Sequence, residues 1–139
     1  MTSKIENKIV GIIKKEAITN PGKIKNIQRE FSFPDLKYKG TLLRFDIAFL
    51  YKGNRILCEV DGSQHYKNNN FFFKNSDKFK HMQENDRRKN KYCLDNHILL
   101  YRIPYYDIDK ILNFNDIFKE KYRVKSIYHN DDLIFKSKL

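Results

Sequence analysis

Two apolar runs separated by Lys52-Gly53 constrain this chain more than any other feature of it. Residues 42–51 and 54–61 alternate as strands do, and a two-residue turn with glycine second is a strong hairpin signal. With Lys52-Gly53 as the turn, Tyr51 pairs with Asn54 and, counting back, Asp46 falls opposite Glu59. One face then carries Asp46/Glu59, Ala48/Leu57 and Leu50/Arg55. The other carries Phe45/Val60, Ile47/Cys58 and Phe49/Ile56 and is wholly apolar. A slip of one residue would send that apolar set to the wrong side, so the register is strongly specified. Asp61 shares the side of Glu59, so three carboxylates converge at one end of a half-buried hairpin. Facing carboxylates, with Cβ atoms about 4.5–5.5 Å apart, repel. Either one keeps its proton or a cation sits between them. Oxygen ligands of this kind suit Mg²⁺ or Mn²⁺. The plainer alternative pairs Glu59 with a lysine and leaves Asp61-Gly62 as a strand-ending turn.

Around the hairpin the pattern predicts an α/β domain. Ile5, Ile9, Ile12 and Ile13 recur at helical spacing over 3–17, and Asn20-Pro21-Gly22 ends that helix. A strand over 25–33 is closed by Pro34-Asp35. After the hairpin comes a polar loop containing Phe71-Phe72-Phe73, then a helix over 75–96, a strand over 98–103 ended by Pro104, and one or two helices over about 107–121. The last strand arrives after a helical crossover, which makes the sheet mixed, with helices on its faces. The 139 residues, 40% hydrophobic, suffice for one domain. Its core is expected over 1–112, with 113–139 forming a C-terminal helix and tail packed on it or extending from it.

Charge narrows the function. Lys and Arg total 28 against 17 acids, a net +11, and a domain this basic calls for a polyanion, nucleic acid first. The excess is +6 over 1–45, nil over 46–73 and +4 over 74–92. The neutral acid-bearing segment is thus flanked by basic ones, as an acidic metal site within a phosphate-binding surface would be. No apolar run reaches the roughly 20 residues of a membrane span, and residues 1–8 lack a signal-peptide core. Cys58 and Cys93 sit in apolar company as free thiols, and the four histidines lack zinc-site spacing. A cytoplasmic, non-secreted protein is expected.

Two further groups bear on chemistry. His65 follows Asp61 by four residues and can reach a metal or an activated water. In the second helix, the stripe of Phe79, Met82 and Cys93 puts Asp86 and Lys89 on or near the inward side, where charges seldom lie without partners.

Phe45-Asp46-Ile47-Ala48, Cys58 to Tyr66, Asp86 to Cys93 and Leu99 to Tyr105 together resemble the very-short-patch-repair-like (EDxHD) branch of the PD-(D/E)xK endonuclease superfamily, over roughly residues 3–110. The branch includes mismatch-nicking repair enzymes and phage homing endonucleases. The resemblance implies a restriction-endonuclease-like fold and metal-dependent hydrolysis of DNA, by nicking or double-strand cutting. It also implies roles: Glu6 as the first-helix acid, with Glu16 and Glu30 as rivals, Asp46 as a metal ligand, His65 as the group that activates water or polarises phosphate, and Asp86 as the acid that orients that histidine or a metal-bound water. The sequence departs from the superfamily in one place. Glu59-Val60-Asp61 has Asp where Lys is usual, so the lysine's role passes to Lys89 or a histidine-based mechanism replaces it. The catalytic set is therefore Glu6, Asp46, Glu59, Asp61, His65, Asp86 and Lys89, with Asp46, Glu59 and Asp61 on Mg²⁺ or Mn²⁺. Backbone phosphates of duplex DNA fall to Lys14, Lys15, Lys23, Lys25, Lys67, Arg87 and Arg88; Tyr66 and Phe71 to Phe73 would stack on bases or wedge between them, with at least one of the phenylalanines going to the core instead. Specificity would come from loops, a homodimer or a larger recognition partner. The competing expectation is a catalytically silent nucleic-acid-binding module on the same fold.

Overall fold

The computed structural model describes residues 4–62 and 77–128. It is an α/β domain in which helices flank a four-stranded mixed sheet of order β1-β2-β3-β4. Helix α1 spans Lys4–Thr19, β1 Ile24–Tyr38, β2 Thr41–Tyr51, β3 Asn54–Asp61, α2 Asp77–Asp95 and β4 Leu99–Pro104. The first three strands form an antiparallel meander. β4 joins β3 in parallel, Ile56 beside Leu99 through Asp61 beside Pro104.

Both meander turns are Lys-Gly. Lys39-Gly40 and Lys52-Gly53 have positive φ at both central positions (51° and 80°, 50° and 83°), as type I′ turns require to match strand twist. The second turn sets the expected register, from Tyr51 beside Asn54 to Ile47 beside Cys58. The first turn lies beyond the strand expected over 25–33, and β1 reaches it by running past Pro34 and Asp35 rather than ending there. Proline is tolerated because β1 is an edge strand, and a register shift between Ser32 and Lys37 absorbs it.

Each sheet face has its own core. Ile9, Val10 and Ile13 of α1 pack on Ile47, Phe49, Ile56, Cys58, Tyr101 and Ile103. On the other side, Cys93 of α2 packs with Leu36, Leu43, Phe45, Ala48, Leu57 and Leu100. Phe45 therefore lies on the α2 side and not, as alternation predicts, with Ile47 and Phe49. The break falls at Asp46, where the ladder between β2 and β3 has stopped.

The helices expected over 107–121 are instead 3₁₀ turns at Tyr105–Lys110, Phe114–Phe118 and Glu120–Tyr122. Local caps interrupt the chain there: the Asn113 side chain accepts from the Asp116 N–H, and the Asp116 carboxylate accepts from Leu112 and Asn113. Ile111, Phe114, Ile117 and Tyr122 still reach the α1-side core. Val124 donates to the Leu100 carbonyl and so covers the edge of β4. Both cysteines are free and buried, and burial pushes the Cys93 thiol up to about 12. Among the described residues no helix is long and apolar enough to cross a membrane.

Candidate acidic centre

The end of the hairpin is held by side chains where the backbone ladder stops. The Asp46 N–H donates to Glu59 Oε1 at 2.9 Å, and the Val60 N–H donates to Asp46 Oδ2 at 2.7 Å. The two acids are adjacent as the register predicts, but each satisfies the other strand's backbone instead of facing its counterpart across a regular pair. The splay sends them to different sides. Asp46 joins α1, and Glu59 joins α2.

On the α1 side, Asp46 meets Glu6 and Glu30, and their carboxylate oxygens lie within 4.8 Å of one another. Glu6 occupies the inward stripe of α1 one turn before Ile9 and Val10, and is buried. Glu30 is exposed and falls level with Asp46, between Arg29 beside Ile47 and Phe31 beside Phe45, and its φ is +52°, in the left-handed region, in the middle of β1. For a residue with a Cβ that costs roughly 1–2 kcal/mol. Glu30 is thus a partner of Glu6 rather than its rival. Glu16 is elsewhere, accepting from Asn20 at the far end of α1.

Burial and the neighbouring Glu59 carboxylate push the Asp46 carboxyl up to about 7, against the pull of the Val60 N–H and Lys89. Glu6 is raised too, by burial first and then by Glu30 and Glu59, with Arg29 opposing. Three hard oxygen donors, of which Asp46 and Glu6 have disfavoured ionised forms, fit a divalent cation such as Mg²⁺ or Mn²⁺.

On the α2 side the charges are matched. Lys89 Nζ is 3.3 Å from Glu59 Oε2 and lies over the Phe45 ring, 5.5 Å from its centroid. Asp61, wholly buried, receives Arg102 Nη1 at 2.9 Å. Arg102 Nη2 lies 3.5 Å from Asp86 Oδ1, and its Nε donates to Asn90 Oδ1 at 2.9 Å. Burial works against the Arg102 charge, but Asp61, Asp86 and Glu59 outweigh it and raise its pKa. The centre therefore brings Asp46 together with Glu6, and Glu59 with Lys89, while Asp61 and Asp86 turn to Arg102. Arg102 is the site residue that sequence reasoning misses, although a charge inside the apolar run Leu99–Ile103 demands a buried partner. His65 and Lys67, with Tyr66 and Phe71 to Phe73, lie outside the described residues.

The basic residues separate into two groups. Lys14, Lys15, Lys23 and Lys25 are exposed, the first two on α1 and the last two beside the turn end of the hairpin. Lys25 lies beside Leu50, four residues and so about 13 Å along β2 from Asp46. Arg87 and Arg88 belong to α2, pairing with Glu84 at 3.9 and 3.0 Å. Arg88 also covers Tyr38, 4.3 Å from the ring centroid.

No family model matches the chain, and no solved structure matches it. It is similar to the Uncharacterized protein 307L of Invertebrate iridescent virus 6, 28% identical over 103 residues, which are 73% of this chain and 52% of that protein. The chain spans about half the length of that relative.

Proposed function

We propose that this protein is a metal-dependent endonuclease acting on duplex DNA. The observation that carries the reading is the meeting of Glu6, Glu30 and Asp46, three carboxylates with oxygens within 4.8 Å of one another, in a chain of net charge +11. An acid cluster in a strongly basic protein suits a reaction on phosphodiesters, where the acids hold a cation and the bases hold the backbone. The resemblance to the very-short-patch-repair-like branch of the PD-(D/E)xK endonucleases supports the same reading.

Glu6, Glu30 and Asp46 would hold Mg²⁺ or Mn²⁺, with Glu59 fixing Asp46 through its backbone N–H. When bound, the cation would neutralise the phosphate and acidify a water. Lys89, on Glu59, takes the position of the missing Glu-x-Lys lysine and sets positive charge beside the centre. His65, four residues beyond Asp61, takes the proton from the attacking water. Lys25 stands about 13 Å from Asp46 along the sheet, three or four phosphates away at the 3.4 Å axial spacing of one strand, and Lys14, Lys15 and Lys23 would extend that basic surface. A reducing intracellular compartment fits the two buried thiols, and a homodimer or larger partner would supply specificity.

A second reading, a silent nucleic-acid-binding module, is favoured by one observation. Glu59, Asp61 and Asp86 are matched by Lys89 and Arg102 without a cation. Plasmid cleavage at low salt in EDTA, Mg²⁺ or Mn²⁺, wild type against Asp46→Ala, separates the two. Metal-dependent nicking or linearisation that the substitution abolishes supports the nuclease. Plasmid bound but intact under every metal gives the silent module.

A further inference from the structure

Arg102 is an expensive residue where it stands. It occupies the middle of β4, 5% exposed, between Tyr101 and Ile103 in an otherwise apolar strand. Burying an ion together with its counter-ions is often no better for stability than packed apolar side chains of similar volume. A methionine at 102, with apolar residues at 61 and 86, would spare the chain that dehydration. What the guanidinium does supply is geometry. Its three nitrogens are each committed to a different group: Nε to Asn90 of α2, Nη1 to Asp61 of β3, and Nη2 to the carboxylate and carbonyl of Asp86. It is also the parallel partner of Glu59 in the sheet, with Nη1 4.0 Å from Glu59 Oε2.

We propose that Arg102 is the positioning residue of the acidic centre, taking Asp61 and Asp86 as its counter-ions and thereby holding Glu59, and through it Asp46, in place. The proposal rests on the nuclease reading above. Glu59 has two oxygens with different duties. Oε2 lies between Lys89 and Arg102, and Oε1 accepts the Asp46 N–H. Were Asp61 left uncompensated two residues away on the same side of β3, its charge would push Glu59 off that N–H. The Arg102 fork neutralises Asp61 and locks α2 to β3 and β4 at the level of Glu59, so the Asp46 backbone keeps its acceptor. Asp61 and Asp86 accordingly act through Arg102 and not as metal ligands. Lysine cannot reproduce the arrangement, because a single ammonium cannot address three groups with fixed geometry.

The test uses the full chain and supercoiled plasmid with Mn²⁺, at a temperature where circular dichroism finds each variant folded. Arg102→Lys keeps the charge without the fork. The double variant Arg102→Met with Asp61→Asn removes the fork without stranding the Asp61 charge, and so gives a second chance of folding. Positioning predicts that kcat falls about 10- to 100-fold in both, as loss of groups that orient metal ligands typically does. It also predicts that KM for plasmid stays within about twofold, because the exposed lysines that bind DNA are untouched, and that half-maximal rate requires more Mn²⁺. Folded variants with wild-type kcat and Mn²⁺ requirement would overturn the proposal while leaving the nuclease reading intact. Failure of both variants to fold also overturns it, assigning Arg102 to structure alone. A wild-type protein that nicks nothing under any metal overturns the nuclease reading itself.

Discussion

Replacing Asp46 by asparagine should make the metal-free protein more stable, and by an amount that depends on pH. The carboxyl is lifted from 3.8 to about 7, chiefly by burial and by the Glu59 carboxylate. At about 1.4 kcal/mol per pK unit, holding it ionised in the folded state costs about 4 kcal/mol. Asp46 keeps some solvent exposure, and screening reduces the figure to roughly 2–3 kcal/mol. Asparagine removes the charge but keeps an oxygen to accept the Val60 N–H. Between about pH 4 and pH 7 the folded protein binds a proton that the unfolded chain has released. Wild-type stability from this group is therefore full below pH 4 and lost as pH rises through 7. Denaturant unfolding in EDTA, followed by circular dichroism, should find Asp46→Asn ahead by roughly 2–3 kcal/mol at pH 8, or about 6–10 °C in Tm. By pH 4.5 the gap should close to under about 1 kcal/mol. Adding Mn²⁺ at pH 8 should reverse the order, because a ligand that binds only the folded wild type raises its stability alone. A gap that does not change with pH, or a variant less stable than wild type at pH 8 in EDTA, would mean that burial and Glu59 do not disfavour the Asp46 carboxylate.

Two other sets of residues give independent checks. Glu30→Gly should leave stability unchanged or raise it by about 1 kcal/mol, since glycine takes φ +52° without the Cβ penalty, while Mn²⁺ titration calorimetry finds weaker binding. Equal Mn²⁺ affinity in the variant would remove Glu30 from the centre. Substituting Lys14, Lys15, Lys23 and Lys25 together by alanine should weaken DNA binding uniformly across sequences. It should also flatten the slope of log K against log salt by up to about 4, near 0.9 for each phosphate no longer neutralised. An unchanged slope would place the DNA elsewhere.

The legible part of this fold is what short-range chemistry dictates. Lys52-Gly53 fixes the register down to Ile47 beside Cys58, and the stripe through Phe79 and Cys93 puts Asp86 inside. What escapes depends on several elements at once. Pro34 reads as a strand end, yet β1 continues because an edge strand has no partner to lose there, and Lys39-Gly40 then closes a hairpin of the same kind as Lys52-Gly53. Phe45 and Asp46 change faces because side chains replace the ladder beyond Ile47, an event with no periodic signature. In sequence Glu30 stands only as an alternative to Glu6, since nothing local foretells a left-handed residue within a strand. Asp61 is placed by its side of β3 alone, whereas its partner lies 41 positions onward in Arg102.

Three departures from local rule meet at one end of the sheet, while Asn26 also takes a positive φ near the other. Glu30 stands in a conformation that disfavours any residue with a Cβ. Asp46 is held where its own ionisation is resisted, and the ladder between β2 and β3 gives way to two side-chain hydrogen bonds. The first two features lower the stability of the metal-free fold, and a chain that only needed packing could avoid them with glycine at 30 and an uncharged residue at 46. Separately, each would be an ordinary local irregularity. Together they bring three carboxylates to one point and fix Asp46 there through the Val60 N–H and the Glu59 carboxylate. Strain and disfavoured charge gathered at one point are what a binding centre requires and a structural core avoids. The α2 side makes the contrast, since Asp61 and Asp86 are buried as deeply but matched by Arg102. The same hairpin thus presents one face where charge is matched and one where ionisation is resisted, and the second is the face we propose for the cation.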